Sequence, residues 1–183
     1  MKVSSMSRMY FDRNSKPKDS EIMMRPLEAE ALSFLLPLST DYPGIEQWFS
    51  TKVVPGLRDE SRTLLRVERQ GELVGLGIAK KEHNERKICT VRVAPSHVGR
   101  GIGVRIFDSL LKWLDEDRPL LTVNDNKLPM FERIFDYYGF NLTSHIKGLY
   151  LPSSVELGFN ECKSKNKNQI LRNKSFFVQT ADG

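Results

Sequence analysis

Cysteine, histidine and long apolar runs are scarce in this sequence. The 183 residues include two cysteines and three histidines. Cys89 and Cys162 are far apart and neither belongs to a CxxC pair, so the spacing typical of a zinc or iron–sulfur site is missing and no metal is expected. No apolar run approaches the ~20 residues that span a bilayer, so no membrane contact is expected. These absences favour a cytoplasmic protein with reduced thiols.

Positive charge is concentrated at the two ends of the chain. Residues 1–18 and 163–183 each contain five Lys or Arg and one acidic residue. The stretch between them is net acidic, which argues against a basic nucleic-acid-binding fold. Solvated flexible ends are the simpler interpretation, and contact of these ends with RNA or another protein is the alternative. The first 18 residues lack the apolar stretch of a signal peptide, but their basic composition leaves a transit peptide open.

Hydrophobic periodicity predicts one domain over residues 21–160, preceded by a poorly ordered segment (1–20) and followed by a basic tail (161–183). The predicted order of elements is a strand (21–27), helices (28–40 and 41–57), a three-stranded antiparallel meander (62–95), a helix (103–114), a strand (119–125), a helix (127–140) and two strands (within 140–160). Gly75 and Gly77 interrupt the middle strand of the meander, which indicates either a bulge or a close neighbour. This order predicts an α+β fold.

Three glycines at alternate positions precede the helix that follows the meander. In "VAPSHVGRGIGVRIFDSLL", Gly99, Gly101 and Gly103 leave the backbone N–H groups of residues 98–104 uncovered at a helix N-terminus. Such N–H groups and the helix dipole favour a bound anion, usually a phosphate. A tight strand-to-helix turn is the alternative. The loop lacks the Lys-Ser/Thr of a P-loop, and its GxGxG spacing after an antiparallel meander does not fit a dinucleotide-binding fingerprint.

The same segment resembles the acyl-CoA-binding segment of the GNAT family of N-acetyltransferases. In that family a strand ends in V-x-P and Arg/Gln-x-x-Gly-x-Gly/Ala then opens a helix. The downstream "FDYYGF" resembles the family's "YEKxGF", and "ELVGLGIAKK" and "IMMRPL" resemble its third and first strands. The resemblance covers residues 21–160. It implies an acyl-CoA N-acyltransferase fold, with a mixed, mostly antiparallel central sheet flanked by helices.

The resemblance also implies acetyl-CoA as the acetyl donor and indicates where it binds. The pyrophosphate would lie on the loop N–H groups, with positive charge from Arg100 and Arg105 beside it. The pantetheine arm would pair with backbone near Val91 and Val93, and the acetyl group would occupy a gap between strands 87–94 and 119–125. The cofactor-binding loop residues carried over in this way are Val98, Gly99, Arg100, Gly101, Ile102, Gly103 and Val104.

Two positions depart from the family pattern. Val98 stands where the family has Arg or Gln, and Arg100 is the candidate to compensate. Phe135 aligns with a tyrosine that often serves as general acid to the departing thiolate, and it is retained as a cofactor-binding candidate. Tyr138, one turn later, is the candidate replacement acid, although a tyrosine before Gly-Phe is also a common core anchor.

The base that accepts the proton of the amine is not evident from the pattern. The strand "KICTVRVA" has no acid in its interior. Glu68, on an earlier strand, and Asp125, at the end of strand 119–125, are the candidates. Ordinary turn chemistry is the alternative for Asp125, and water can accept the proton if binding energy supplies most of the catalysis.

The sequence therefore predicts an acetyl-CoA-dependent N-acetyltransferase that acts on a primary amine by direct attack. The acceptor is left open among a small amine, a protein and an aminoacyl-tRNA, and the basic ends favour a macromolecule. The alternative is an inactive or weakly active CoA-binding module that acts as a sensor or binds a partner, which the substitutions at Val98 and Phe135 favour. Several members of the family pair through their last strands, so a homodimer is also expected.

Overall fold

The computed structural model describes residues 23–161, and the elements alternate between helices and two antiparallel sheets. The helices are α1 (Pro26–Leu35), α2 (Ile45–Trp48), α3 (Val54–Arg58), α4 (Ile102–Leu114) and α5 (Leu128–Tyr138). The strands are β1 (Arg62–Arg69), β2 (Glu72–Glu82), β3 (Glu85–Val93), β4 (Leu121–Asn124), β5 (Leu142–Lys147) and β6 (Val155–Phe159). Single 3-10 turns cover Leu36–Leu38, Pro95–His97 and Asp125–Lys127, and a π-helical turn, Phe49–Val53, joins α2 to α3.

Two three-stranded sheets meet along β3 and β4. Their strand orders are β1-β2-β3 and β4-β6-β5, and every pair within them is antiparallel. β3 and β4 run parallel and share one bridge, where Ile88 N–H donates to Leu120 O (2.9 Å) and Leu120 N–H donates to Arg86 O (2.8 Å). The predicted α+β class, with a mixed but mostly antiparallel sheet flanked by helices, is confirmed.

Each face of the sheets is covered by a separate hydrophobic core. On one face, the helices α4 and α5 pack against residues of β2, β3, β4 and β6. On the other face, α1 to α3 pack against β2, and Leu76 and Ile78 are fully buried there. Side chains on β4 and β6 alternate between the core that contains α4 and α5 and the opposite face of the sheet.

The prediction of a first strand at 21–27 is wrong for the residues that the structure describes. Residues 23–25 are neither helix nor strand, and α1 begins at Pro26. Proline is favoured in the first turn of a helix because its missing N–H has no partner there. Glu28 completes this start, since its carboxylate accepts a hydrogen bond from Arg25 N–H at 2.8 Å. The local signal for a helix start therefore prevails over the short apolar run.

The two early helices and the meander agree with the sequence patterns, with differences at their boundaries. The helix predicted over 41–57 continues through Pro55 to Arg58, and the preceding turn has widened to π geometry. A widened turn relieves the clash that proline causes inside an α-helix. Gly75 and Gly77 mark a close neighbour: a Cβ atom on Gly77 would lie 2.5 Å from Cγ2 of Ile106.

The predicted disordered start and basic tail lie outside the described residues, so the division into 1–20, 21–160 and 161–183 stays a prediction. Over residues 23–161, none of the helices is long and apolar enough to cross a bilayer. Over the same residues, no group of three His, Cys, Asp or Glu side chains is placed to hold a metal ion.

Candidate active site

The glycine loop adopts the conformation that its spacing suggests. Gly99 and Gly101 have φ angles of +78° and +73°, in the left-handed region that favours glycine. Gly101 is the N-cap of α4, and no side chain caps the helix. The N–H groups of the first turn, from Ile102 to Val104, have no partner inside the helix, because no preceding turn supplies carbonyl groups to accept their hydrogen bonds. A Cβ on Gly99 or Gly101 would meet nothing within 4 Å, so the space above the loop is open to a ligand.

The loop stands on a rigid support and carries exposed positive charge. Ile102 is 1% exposed, and its Cγ2 lies 2.8 Å from where a Cβ on Gly75 would be, so β2 fixes the first turn of α4. Val98, Arg100 and Arg105 are exposed beside the loop. Guanidinium groups, uncovered N–H groups and the positive end of a helix dipole each favour a bound anion.

The backbone of β3 faces the gap beyond the β3–β4 bridge. Ala94 N–H donates to Val74 O of β2 at 2.9 Å, and in an antiparallel pair alternate residues direct their backbone groups at the partner strand. Val91 and Val93 therefore direct their N–H and C=O groups away from β2, toward the side of β4. An extended amide-containing ligand can pair with such an edge as an added strand does.

The structure does not bring the predicted acidic candidates together. Glu68 is exposed on β1, two strands away from the gap, and its carboxylate pairs with Arg66 at 2.9 Å. Asp125 is exposed in the 3-10 turn after β4, where it accepts a hydrogen bond from Asn126 N–H at 2.9 Å. Phe135 is buried in the core, and its ring lies 4.6 Å from that of Phe159.

Tyr138 lies at the contact between α5 and α4. Its ring stacks on Phe107 and Phe140, with centroid distances of 6.0 and 5.5 Å. Its hydroxyl donates to Asp108 Oδ1 at 2.6 Å and lies 3.3 Å from the carbonyl oxygen of Val104. Burial and the neighbouring Asp108 carboxylate raise the pKa of Tyr138. This geometry accounts for Tyr138 as an anchor between the two helices, and its role as general acid stays a prediction.

Replacing Tyr138 by phenylalanine distinguishes the two roles of this residue. We expect Tyr138→Phe to lower the free energy of unfolding by about 1–2 kcal/mol, because the charge-assisted hydrogen bond to Asp108 is lost while the ring stays packed. Urea denaturation measures this loss. If the turnover number for acetyl transfer is unchanged, Tyr138 acts only as an anchor. If the turnover number falls tenfold or more, the result supports proton donation by Tyr138.

A buried polar cluster on the other face of β4 and β6 was missed by sequence reasoning. We call it the Glu156 cluster; its members are Tyr42, Thr122, Asn124, Tyr150 and Glu156. Glu156 and Asn124 are each 1% exposed and are direct cross-strand partners. The signal in the sequence was the glutamate in "VELGF", where apolar residues alternate with Glu156 and Gly158. That alternation predicts a strand with one solvent-exposed face. In the tertiary structure, other residues cover that face.

The carboxylate of Glu156 has little compensation for its burial. Its Oε1 accepts one long hydrogen bond, from the Tyr42 hydroxyl at 3.4 Å, and its Oε2 has no hydrogen-bond partner in the described part of the chain. Burial raises the pKa of Glu156 to about 7, while the Thr122 and Tyr42 side chains act in the opposite direction. A carboxyl group with this pKa exchanges protons near neutral pH, as a general acid or base requires.

The fold thus places a helix opened by glycines beside two parallel strands that share hydrogen bonds at one end only. The sequence model of the Acetyltransferase (GNAT) family matches residues 23–137. The chain belongs to this family and is an acyltransferase of the N-acetyltransferase type. The resemblance seen in the sequence is thereby confirmed. A comparison with curated protein sequences gives no match.

Solved structures of GNAT proteins share the fold at low sequence identity. A protein assigned to the GNAT family from Desulfovibrio desulfuricans is 11% identical with a TM-score of 0.60, over 75% of this chain and 93% of that one. An aminoglycoside 6'-N-acetyltransferase complexed with coenzyme A is 15% identical with a TM-score of 0.57, over 81% and 92%. The PaiA N-acetyltransferase from Thermoplasma acidophilum, in complex with coenzyme A, is 16% identical with a TM-score of 0.51, over 72% and 89%.

Proposed function

We propose that this protein transfers an acetyl group from acetyl-CoA to a primary amine by direct attack. The observation that carries the proposal is the position of the α4 N-terminus beside the gap between β3 and β4, which share hydrogen bonds at one end only. A pyrophosphate-bearing thioester fits both features. Two of the proteins with this fold, named above, are complexed with coenzyme A, which supports the same donor here.

The residues that would hold the donor are those of the loop and of the β3 edge. Backbone N–H groups of residues 98–104 would bind the pyrophosphate, with Arg100 and Arg105 adding charge in place of the side chain that Val98 lacks. The edge of β3 at Val91 and Val93 would pair with the amides of the pantetheine arm. Phe135 would contribute only through the core beneath the gap, because it is buried and has no ionisable group.

The acceptor would approach from the face of β4 and β6 on which the Glu156 cluster lies. Direct attack needs the neutral amine and the thioester carbon held together, and such positioning can supply up to ~7–11 kcal/mol of the barrier lowering. The prediction that the acceptor is a macromolecule depends on the basic ends, which lie outside the described residues. Both small amines and macromolecular amines should therefore be tested as acceptors.

Binding and turnover test this proposal separately. Acetyl-CoA at about 100 times its Kd should stabilise the protein by about 2.7 kcal/mol, which raises the melting temperature by several degrees. Release of the coenzyme A thiol should then depend on an added amine from a panel of aliphatic amines, aminoglycosides and peptides. Initial rates against both substrates should give intersecting lines, because no covalent enzyme intermediate forms.

Two outcomes would contradict the proposal. A folded protein that acetyl-CoA does not stabilise would remove the donor site. Stabilisation by acetyl-CoA without transfer to any amine of the panel would favour the alternative, a CoA-binding module.

A further inference from the structure

The Glu156 cluster holds a buried carboxyl group with one unpartnered oxygen, which is costly in a folded protein when the group is ionised. An ionised carboxylate removed from water without a partner is strongly disfavoured, and buried polar atoms without hydrogen bonds are rare. Here the unpartnered oxygen is Oε2 of a residue that is 1% exposed. Glu156 is on β6, the central strand of its sheet, so neighbouring strands cover both of its edges. Such an atom is expected where a ligand supplies the missing partner.

The position of the cluster relates this oxygen to the gap. Glu156 is opposite Asn124 on β4, and β4 is the strand that diverges from β3. Adjacent strands are about 4.8 Å apart, so the carboxylate is one strand away from the gap. Its side chain is on the sheet face opposite Leu157, which packs into the core with α5. The cluster therefore lies next to the gap, on the sheet face opposite the core that contains α5.

Two tyrosine rings complete a site that suits an ammonium group. The rings of Tyr42 and Tyr150 meet edge to face with a centroid distance of 5.1 Å. Burial raises the pKa of Tyr150 to about 12 and also raises that of Tyr42, so both phenols stay neutral at physiological pH. Neutral aromatic faces together with a carboxylate attract an alkylammonium ion.

We propose that Glu156 is the catalytic base of the acetyl transfer and that Tyr42 and Tyr150 form the pocket for the acceptor's alkylammonium group. This inference depends on the proposed function. The ammonium ion would give one proton to Oε2 of Glu156, and the neutral nitrogen would form a bond to the acetyl carbon. The carbon–sulfur bond breaks as its electron pair moves to sulfur, a second nitrogen proton passes to that sulfur, and the third stays on the amide. Glu156 then returns its proton to solvent.

Burial, more than the charged groups nearby, determines the direction of the pH dependence of Glu156. Burial raises its pKa from 4.5 to about 7, Lys87 lowers it and Asp125 raises it. Between these two values the unfolded chain binds fewer protons than the folded protein, so stability falls as pH rises through this range and is constant above it. As a base, the residue is active when it is deprotonated in the folded protein, so the rate of transfer should rise as pH passes through its folded-state pKa of about 7.

The test compares Glu156→Gln with the wild type and with Glu72→Gln, a control at an exposed strand position. With butylamine and acetyl-CoA at pH 8, we expect kcat/KM of Glu156→Gln to fall by about 10²- to 10⁴-fold. Its pH profile should also lose the rise near pH 7. Tyr42→Phe, which keeps the ring, should change KM for the amine by less than Tyr42→Ala. Glu72→Gln should behave as the wild type does.

Melting temperatures separate the possible failures. The Glu156→Gln variant should melt close to the wild type at pH 4 and roughly 5–10 °C higher at pH 8, because the cost of the buried charge is gone. Acetyl-CoA should still stabilise it. If the wild type transfers acetyl groups and Glu156→Gln does so with the same rate and pH profile, Glu156 is not the base and only this inference fails. If the wild type neither binds acetyl-CoA nor transfers, the proposed function itself fails.

Discussion

Replacing Gly101 by glutamate should weaken acetyl-CoA binding by about 100-fold or more, so that the ligand no longer raises the melting temperature. Gly101 has a φ of +73°, and a residue with a side chain is strained there by about 1–2 kcal/mol. The larger effect is electrostatic. The substitution places a carboxylate at the N-cap of α4, where the donor's pyrophosphate would bind to N–H groups and be attracted by the helix dipole. Isothermal titration with acetyl-CoA measures the change.

Gly71 offers a matched control for this variant. It has a φ of +81°, and a Cβ there would meet nothing within 4 Å, but it lies in the β1–β2 hairpin, away from α4. Gly71→Glu should therefore lower the stability by a similar amount and leave acetyl-CoA binding as in the wild type. Equal loss of binding in both variants would trace the effect to general destabilisation, and unchanged binding by Gly101→Glu would show that the loop does not hold the donor.

Replacing Phe107 by alanine should lower the free energy of unfolding by about 3–5 kcal/mol, a large part of the stability of a domain of this size. Phe107 is 2% exposed on α4. Its ring contacts those of Phe135, Tyr138 and Phe140 at centroid distances of 6.1, 6.0 and 6.2 Å. Removing it leaves a cavity in the layer that joins α4 to α5. The melting temperature should fall by roughly 10 °C.

Two further variants show whether the loss comes from the cavity. Phe107→Leu keeps most of the volume and should cost markedly less than Phe107→Ala. Met130→Ala, at a side chain on α5 that is 61% exposed, should change stability by less than about 0.5 kcal/mol. Similar losses for all three variants would contradict the central position of this ring in the core.

Local signals were sufficient for the meander, α4 and the glycine loop. The two hairpin turns, the change from strand to helix period and the alternating glycines each act within a few residues, and the structure places β1 to β3 and α4 where they predict. The end of α5 is equally local: Gly139 has a φ of +64° after Tyr138. The prediction of a first strand failed because a short apolar run is ambiguous. The helix begins instead at Pro26, which needs no partner for an N–H, and at Glu28, whose carboxylate accepts a hydrogen bond from Arg25 N–H.

The catalytic candidates could not be identified from local sequence patterns. Glu68 and Asp125 were considered for their positions on predicted strands, one on an earlier strand and one at the end of strand 119–125, and both are exposed in the fold. Glu156, which sequence reasoning passed over, is among the most buried residues of the chain. Its burial depends on Tyr42, which is 114 positions away in the sequence, and on β4 and β5 covering both edges of β6.

The amino-acid sequence by itself determined the family, the glycine-opened helix and the order of the strands from β1 onward, because glycine conformation, turns and periodicity act between near neighbours. Only the tertiary structure decided which carboxylate is removed from water and where the gap opens. Both follow from contacts between residues distant in sequence: a single bridge joins β3 to β4, and Tyr42 contacts the face of β6 on which Glu156 lies. Burial then turns an ordinary glutamate into a group that titrates near neutral pH.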